Sequence, residues 1–149
     1  MPVSTALLIA GAVMAVALAV GLIARAQDGR RRSGGAVRVS DEDLPNGRRT
    51  GITLVQFSTE LCARCPQVRR LLGEIASANG IARAEIDLTR SSDLAAKYHV
   101  LQTPTTFLID ASGKVAARWG GVPDHGSITE AITTLRAASR TPRERQEQS

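Results

Sequence analysis

Residues Val3 to Ala24 form one long run, VSTALLIAGAVMAVALAVGLIA, with no charge in it and with Ser4 and Thr5 at its start as its only polar side chains. At a rise of about 1.5 Å per residue, roughly 20 residues cross a hydrocarbon layer of about 30 Å. The run therefore predicts a spanning helix, and residues 1–26 an N-terminal transmembrane anchor. A cleaved signal peptide is the competing reading, because Ala24-Arg25-Ala26 resembles a small-x-small cleavage site. Two features oppose it: Met1-Pro2 carries no Lys or Arg, and the run exceeds the usual apolar core of about 7–15 residues. Residues 27–49 are rich in Arg, Gly, Ser and Asp and read as a flexible basic linker. Within it, Val37 to Val39 could make a short strand, and Asp41-Glu42-Asp43 and Pro45-Asn46-Gly47 are turn-like.

From residue 50 the pattern becomes regular. Ile52 to Phe57 is a short apolar run, a buried strand. From Cys62 to Asn79 the apolar positions Val68, Leu71, Leu72, Ile75 and Ala76 follow helical spacing, and Asn79-Gly80 stops the helix. Ile81 to Asp87 alternates as a second strand. Ser91 or Ser92 can cap a short helix through Tyr98. Thr105 to Ile109 predicts a third strand, and a turn at Asp110-Ala111-Ser112-Gly113 leads into a fourth, Lys114 to Trp119. Gly120 and Gly121 end it, and Ser127 opens a last amphipathic helix with Ile128, Ala131, Ile132 and Leu135 on one face. Thr141 to Ser149 is polar and reads as a disordered tail. One domain over residues 50–139 and a tail over 140–149 follow. The strand–helix–strand unit requires a parallel pair, because its crossover returns the chain to the same sheet edge. The closing hairpin is antiparallel, so the sheet is mixed, with helices on both faces.

Aromatic residues make up only 3% of the 149-residue chain, which predicts an aliphatic core. The net charge of +5 raises the question of nucleic acid. The arginines, however, cluster directly after the apolar run (Arg25, Arg30, Arg31, Arg32, Arg38, Arg48, Arg49) and at the C-terminal end (Arg136, Arg140, Arg143, Arg145). Neither group is interleaved with aromatics on which bases could stack. Arginines beside a spanning helix meet anionic headgroups and set topology. The asymmetry places the main domain in the cytoplasm.

The two cysteines, Cys62 and Cys65, are three positions apart. So short a loop constrains the unfolded chain little, so redox chemistry or half of a metal site remains. Zinc would need two further ligands, and His99 and His125 belong to no paired ligand motif. Thr59-Glu60-Leu61-Cys62 echoes the threonine-x-x-cysteine of peroxiredoxins, but Val55 stands where those enzymes carry proline. Two inert buried cysteines are the remaining alternative. Against all of these, Cys62-Ala63-Arg64-Cys65 follows a predicted strand and opens a predicted helix. The unsatisfied N–H groups and partial positive charge of a helix N-terminus favour a thiolate, and Arg64 adds a permanent cation. Cys62, the more exposed, should attack, and Cys65, one turn in, should resolve the mixed disulfide. Pro66 fits a first turn, where its missing N–H costs little.

Residues from about Thr53 to Leu135 resemble the thioredoxin superfamily. The resemblance is carried by LVQFSTELCARC, by KYHVLQTPTTFLID and by GKVAARWGG, in that order. It implies an α/β, thioredoxin-like three-layer fold with a mixed sheet, beside the N-terminal transmembrane helix. It also implies a cis peptide at Thr103-Pro104 facing the CxxC, with Thr103 offering its backbone to a substrate chain that pairs like an added strand. Four positions depart from the family. Leu61 replaces the usual Trp, and Ala63-Arg64 replaces the Gly-Pro that tunes the cysteines. Gln56 stands where the family keeps a buried carboxylate that shuttles a proton to the resolving thiol. Glu60 could substitute for that acid, though it also reads as a solvated loop residue. Asp87 and Trp119 read as structural, and His99 and His125 as surface residues.

The expected activity is thiol–disulfide exchange on protein disulfides or dithiols, with no bound cofactor or metal and with a partner protein that recycles the pair. A cytoplasmic face suits a reductase. An extracytoplasmic face would suit envelope or cytochrome-maturation exchange, and a docking module would use the same groove without turnover.

Overall fold

The computed structural model describes residues 3–45 and 51–147. Asn46 and Gly47 of the expected turn, and Arg48 and Arg49 of the expected linker, lie outside the described residues. The first helix, α1 (Val3–Gln27), buries none of its side chains and is long and apolar enough to cross a membrane.

Five strands form one sheet: β1 (Arg31–Ser33), β2 (Thr53–Ser58), β3 (Ala82–Asp87), β4 (Thr105–Ile109) and β5 (Val115–Gly120), in the order β1-β5-β4-β2-β3. The β2–β3 pair is parallel and the other three pairs are antiparallel, which is the expected mixed sheet. The crossover between β2 and β3 is α2 (Cys65–Asn79). It ends at Gly80 in the left-handed region (φ 60°), where the Gly80 and Ile81 amides return to carbonyls of the last turn. The short helix α3 (Ser92–Lys97) precedes β4, and α4 (His125–Glu147) closes the chain.

Alternation along the strands splits the core into two layers. Leu54, Leu108, Ala117 and Trp119 face α2 and α4, against Val68, Leu72, Ile75, Ile128 and Ile132. Val55, Phe57, Ile86, Phe107 and Ile109 face the other way, against Leu94 and Tyr98. The core is not purely aliphatic. Trp119, Tyr98, Phe57 and Phe107, which are all the aromatics of the chain, are among its largest fully buried side chains.

Three further expectations need correction. The segment from Arg31 to Leu44 is built into the fold, although it reads as linker. Arg31–Ser33 pairs with β5, Arg38 bridges to Lys114, and Val39 and Leu44 are buried in the Phe57 layer. The Tyr98 hydroxyl ties this segment down by donating to Asp43 and accepting from the Ser40 amide. Arg31–Ser33 is placed by main-chain pairing along an open sheet edge and has no apolar alternation to read, while burial of Val39 and Leu44 anchors the rest of the segment. Secondly, α2 begins at Cys65 rather than Cys62, because Thr59 to Arg64 turns before the helix starts. Thirdly, α4 starts two residues before Ser127 and runs to Glu147, through most of the expected disordered tail. From Arg143 to Glu147 the sequence is Arg, Glu and Gln, all good helix formers.

Candidate active site

β2 delivers the chain to the C-terminal edge of the sheet, and the turn from Thr59 to Arg64 carries it into α2. The Cys62 amide donates to the Thr59 carbonyl (3.2 Å) and the Cys65 amide to the Cys62 carbonyl (3.3 Å). These bonds bring the two Cα atoms to 5.4 Å, and the sulfurs are joined as a disulfide. Cys62 is half-buried just outside the helix end, while Cys65, its first residue, is 2% exposed. Arg64 caps the helix with no side-chain cap bond, and Pro66 occupies the first turn. The amides of that turn have no intrahelical acceptor and point toward the sulfurs' end of the helix.

The loop before β4 forms the facing wall. The Thr103–Pro104 peptide is cis. Thr103 Oγ1 and Thr59 Oγ1 lie 3.3 Å apart as hydrogen-bonding partners, so the loop is joined to the turn that carries Cys62. Pro104 is buried, and its carbonyl accepts from the Gly121 amide at 2.8 Å. Leu61 and Leu101 are each 95% exposed, one beside Cys62 and the other just before this loop.

Behind the disulfide lies Gln56, fully buried. Its amide nitrogen donates to the Cys65 carbonyl at 3.0 Å, and its Oε1 has no partner among the described residues. Glu60 is exposed and its backbone amide bonds to Thr89 Oγ1 (2.9 Å). Asp87 accepts from the Thr89 amide (2.9 Å), a structural turn contact, and Trp119 is buried with its indole N–H on Ser127 Oγ (3.0 Å). His99 and His125 are exposed, as expected.

Ala63 and Arg64 are exposed between the cysteines. The Arg64 guanidinium is paired at 2.5 Å with Asp28, one residue past α1. The sequence reading missed Asp28, since nothing signals a contact between residues 36 positions apart. The structure explains it through the chain after α1. The Gly29 amide donates to the Gly120 carbonyl (2.6 Å), and Asp28 lies so close over Gly121 (φ 82°) that a Cβ there would overlap its carboxylate. A cleft of about 1120 Å³ opens between this segment, Arg64 and the loop around Leu101.

The arrangement can form and break one disulfide at an accessible sulfur, with a second sulfur buried behind it. Similar proteins carry the same scaffold. The thioredoxin domain family matches residues 52–133. No curated protein matches the chain in sequence. Among solved structures, a thioredoxin-like protein from Clostridium perfringens is 21% identical over 65% of this chain and 79% of its own, with a TM-score of 0.55. Thioredoxin 1 from Thermosipho africanus is 18% identical over 59% and 98%, at 0.53. The Fasciola hepatica thioredoxin is 26% identical over 60% and 85%, at 0.50. With the fold, the paired cysteines and the family match in agreement, the chain belongs to the thioredoxin family and carries a Cys-x-x-Cys pair suited to thiol–disulfide redox chemistry.

Proposed function

We propose that the chain is a membrane-tethered thiol–disulfide oxidoreductase that reduces protein disulfides. The observation that carries this reading is the placement of half-buried Cys62 ahead of α2, with Cys65 buried behind it and the cis Thr103–Pro104 loop alongside. In the reduced protein, the Cys62 thiolate attacks one sulfur of a substrate disulfide and expels the other as a thiolate. The Cys65 thiolate then attacks the Cys62 sulfur, releases the second substrate thiol and leaves the Cys62–Cys65 disulfide. A dithiol partner protein restores the reduced pair. Thr103 supplies backbone pairing to the substrate strand, and Leu61 and Leu101 supply apolar contact on either side. Ala63 and Arg64 tune the cysteines, Arg64 through its charge. α1 is the tether, and the arginines after it favour a cytoplasmic catalytic domain.

The test is covalent capture. In Cys65→Ser the mixed disulfide cannot be resolved, so the full chain should accumulate in disulfide-linked adducts with its substrates. In Cys62→Ser no adducts should form and disulfide reduction should cease. Gln56 favours one second reading, a docking module without turnover, because an amide cannot take the proton from Cys65. That reading predicts little functional change in Cys62→Ser.

A further inference from the structure

We infer that the cleft between the end of α1 and the Cys62 turn holds the phosphate-bearing headgroup of an anionic phospholipid, gripped by Arg30, Arg32 and Arg118 and covered by Arg25. The inference deepens the tethered reading of α1 and rests on it.

The first argument is charge. Arg25, Arg30, Arg32, Arg64 and Arg118 all line the cleft, and among its described lining residues the one carboxylate is Asp28. That carboxylate is committed to Arg64 at 2.5 Å. None of Arg25, Arg30 and Arg32 has an ion-pair partner among the described residues. Arg32 also stands directly opposite Arg118 in the β1–β5 register, and like charges facing each other across a strand pair destabilise it. Burial, and after it the charge of Arg32, holds the Arg118 guanidinium below its ordinary pKa. Arg118 donates a hydrogen bond to the His99 carbonyl at 2.9 Å and lies over the Phe107 ring, contacts that favour its position beside Arg32. A bound anion removes this repulsion, and the planar guanidinium fork matches phosphate oxygens.

The second argument is depth. The wall of the cleft is Ala24 and Arg25, the last apolar turn of α1 and the first cation after it. On the tethered reading, this is where the helix leaves the hydrocarbon layer, the level of lipid phosphates. An acidic polypeptide would meet the same charges but has no reason to lie at that level. A lipid seated there brings Arg64 and the disulfide to the headgroup layer, so the substrates served are disulfides close to the membrane surface.

Strand alternation supplies the control. Arg30 and Arg32 line the cleft, whereas Arg31, between them, does not and is paired in register with Trp119. Arg31→Gln and Arg32→Gln each remove one exposed charge from the same strand. The full chain is reconstituted in nanodiscs of phosphatidylcholine with a minor fraction of phosphatidylglycerol, and co-purifying lipid is counted by native mass spectrometry. The inference predicts enrichment of phosphatidylglycerol on the wild type, at least fivefold less enrichment in Arg32→Gln, and less than a twofold change in Arg31→Gln. Equal losses in the two variants would mean diffuse attraction and overturn it. So would no enrichment in the wild type, or displacement of the lipid by a poly-glutamate peptide at equal charge. Cys62-dependent reduction of a soluble disulfide is assayed on the same preparations. Intact turnover with no lipid enrichment overturns the cleft alone, while enrichment without turnover overturns the oxidoreductase reading alone.

Discussion

Gln56 sets the polarity of the space behind Cys65. It is fully buried, holds the Cys65 carbonyl, and leaves its own Oε1 without a partner. Gln56→Glu would place a carboxyl there, and desolvation would push its pKa above the unfolded value of about 4.3. Below that pH both states are neutral and the penalty is absent. Above it the unfolded chain ionises first, so stability should fall by up to about 1.4 kcal/mol per pH unit until the folded pKa is reached. Denaturant unfolding of variant and wild type from pH 4 to pH 8 reads this out, and a gap independent of pH would contradict it. Asp28 acts on the other side of the disulfide by drawing the Arg64 guanidinium to itself. In a Cys65→Ser background, Asp28→Asn should raise the alkylation rate of Cys62 at neutral pH about two- to threefold, the size of a surface charge interaction. An unchanged rate would mean that Arg64 does not act on the sulfur. At this scale the pairing of Cys62 with Cys65 and the cis Thr103–Pro104 bond are legible, because each belongs to a short motif. Asp28 is not, since its role exists only once β1 has joined β5.

The elements hold together through a few polar ties between layers. Arg69 on α2 grips Glu85 on β3 with two bonds of 2.7 Å, and Ser58 at the end of β2 donates to the same carboxylate at 2.8 Å. Chiefly through the Arg69 bonds, Glu85 is held below the ordinary carboxylate range. A depressed pKa means that its contribution is present above the unfolded value of about 4.3 and is lost as pH falls through the folded value. Glu85→Gln should therefore cost less than about 1 kcal/mol at pH 7, since the pair is partly solvated, and progressively less as the pH is lowered below the unfolded value. A cost independent of pH, measured by denaturant unfolding, would contradict the ion pair. α2, α4, β3 and β5 are readable because each has an apolar face in its own period, α1, β2 and β4 because each is a nearly continuous apolar run, and α3 from the serines that can cap it. β1 has none of these: its three residues are Arg31, Arg32 and Ser33, all exposed, and main-chain bonds to β5 alone define it. The start of α2 was misplaced for a similar reason, because Ala63 and Arg64 suit a turn as well as a helix.

On the scale of the molecule, the domain begins before residue 50. Val39 and Leu44 are buried in the same layer as Phe57 and Tyr98, so removing the segment uncovers core as well as an edge. Leu44→Ala should cost about 2–3 kcal/mol, far more than a substitution in a free linker. A change under about 0.5 kcal/mol in denaturant unfolding would return the segment to linker status. The burial of all four aromatics shows why composition misled: a handful of large rings fills space out of proportion to their number.

The most direct measurement is the redox equilibrium of the full chain in glutathione and dithiothreitol buffers, read as the oxidised fraction of the Cys62–Cys65 pair. A reductase predicts a reversible two-electron transition near about −250 mV or lower. A value near about −150 mV would contradict the reducing direction, and no reversible transition at all would contradict the assignment of these cysteines as a redox centre.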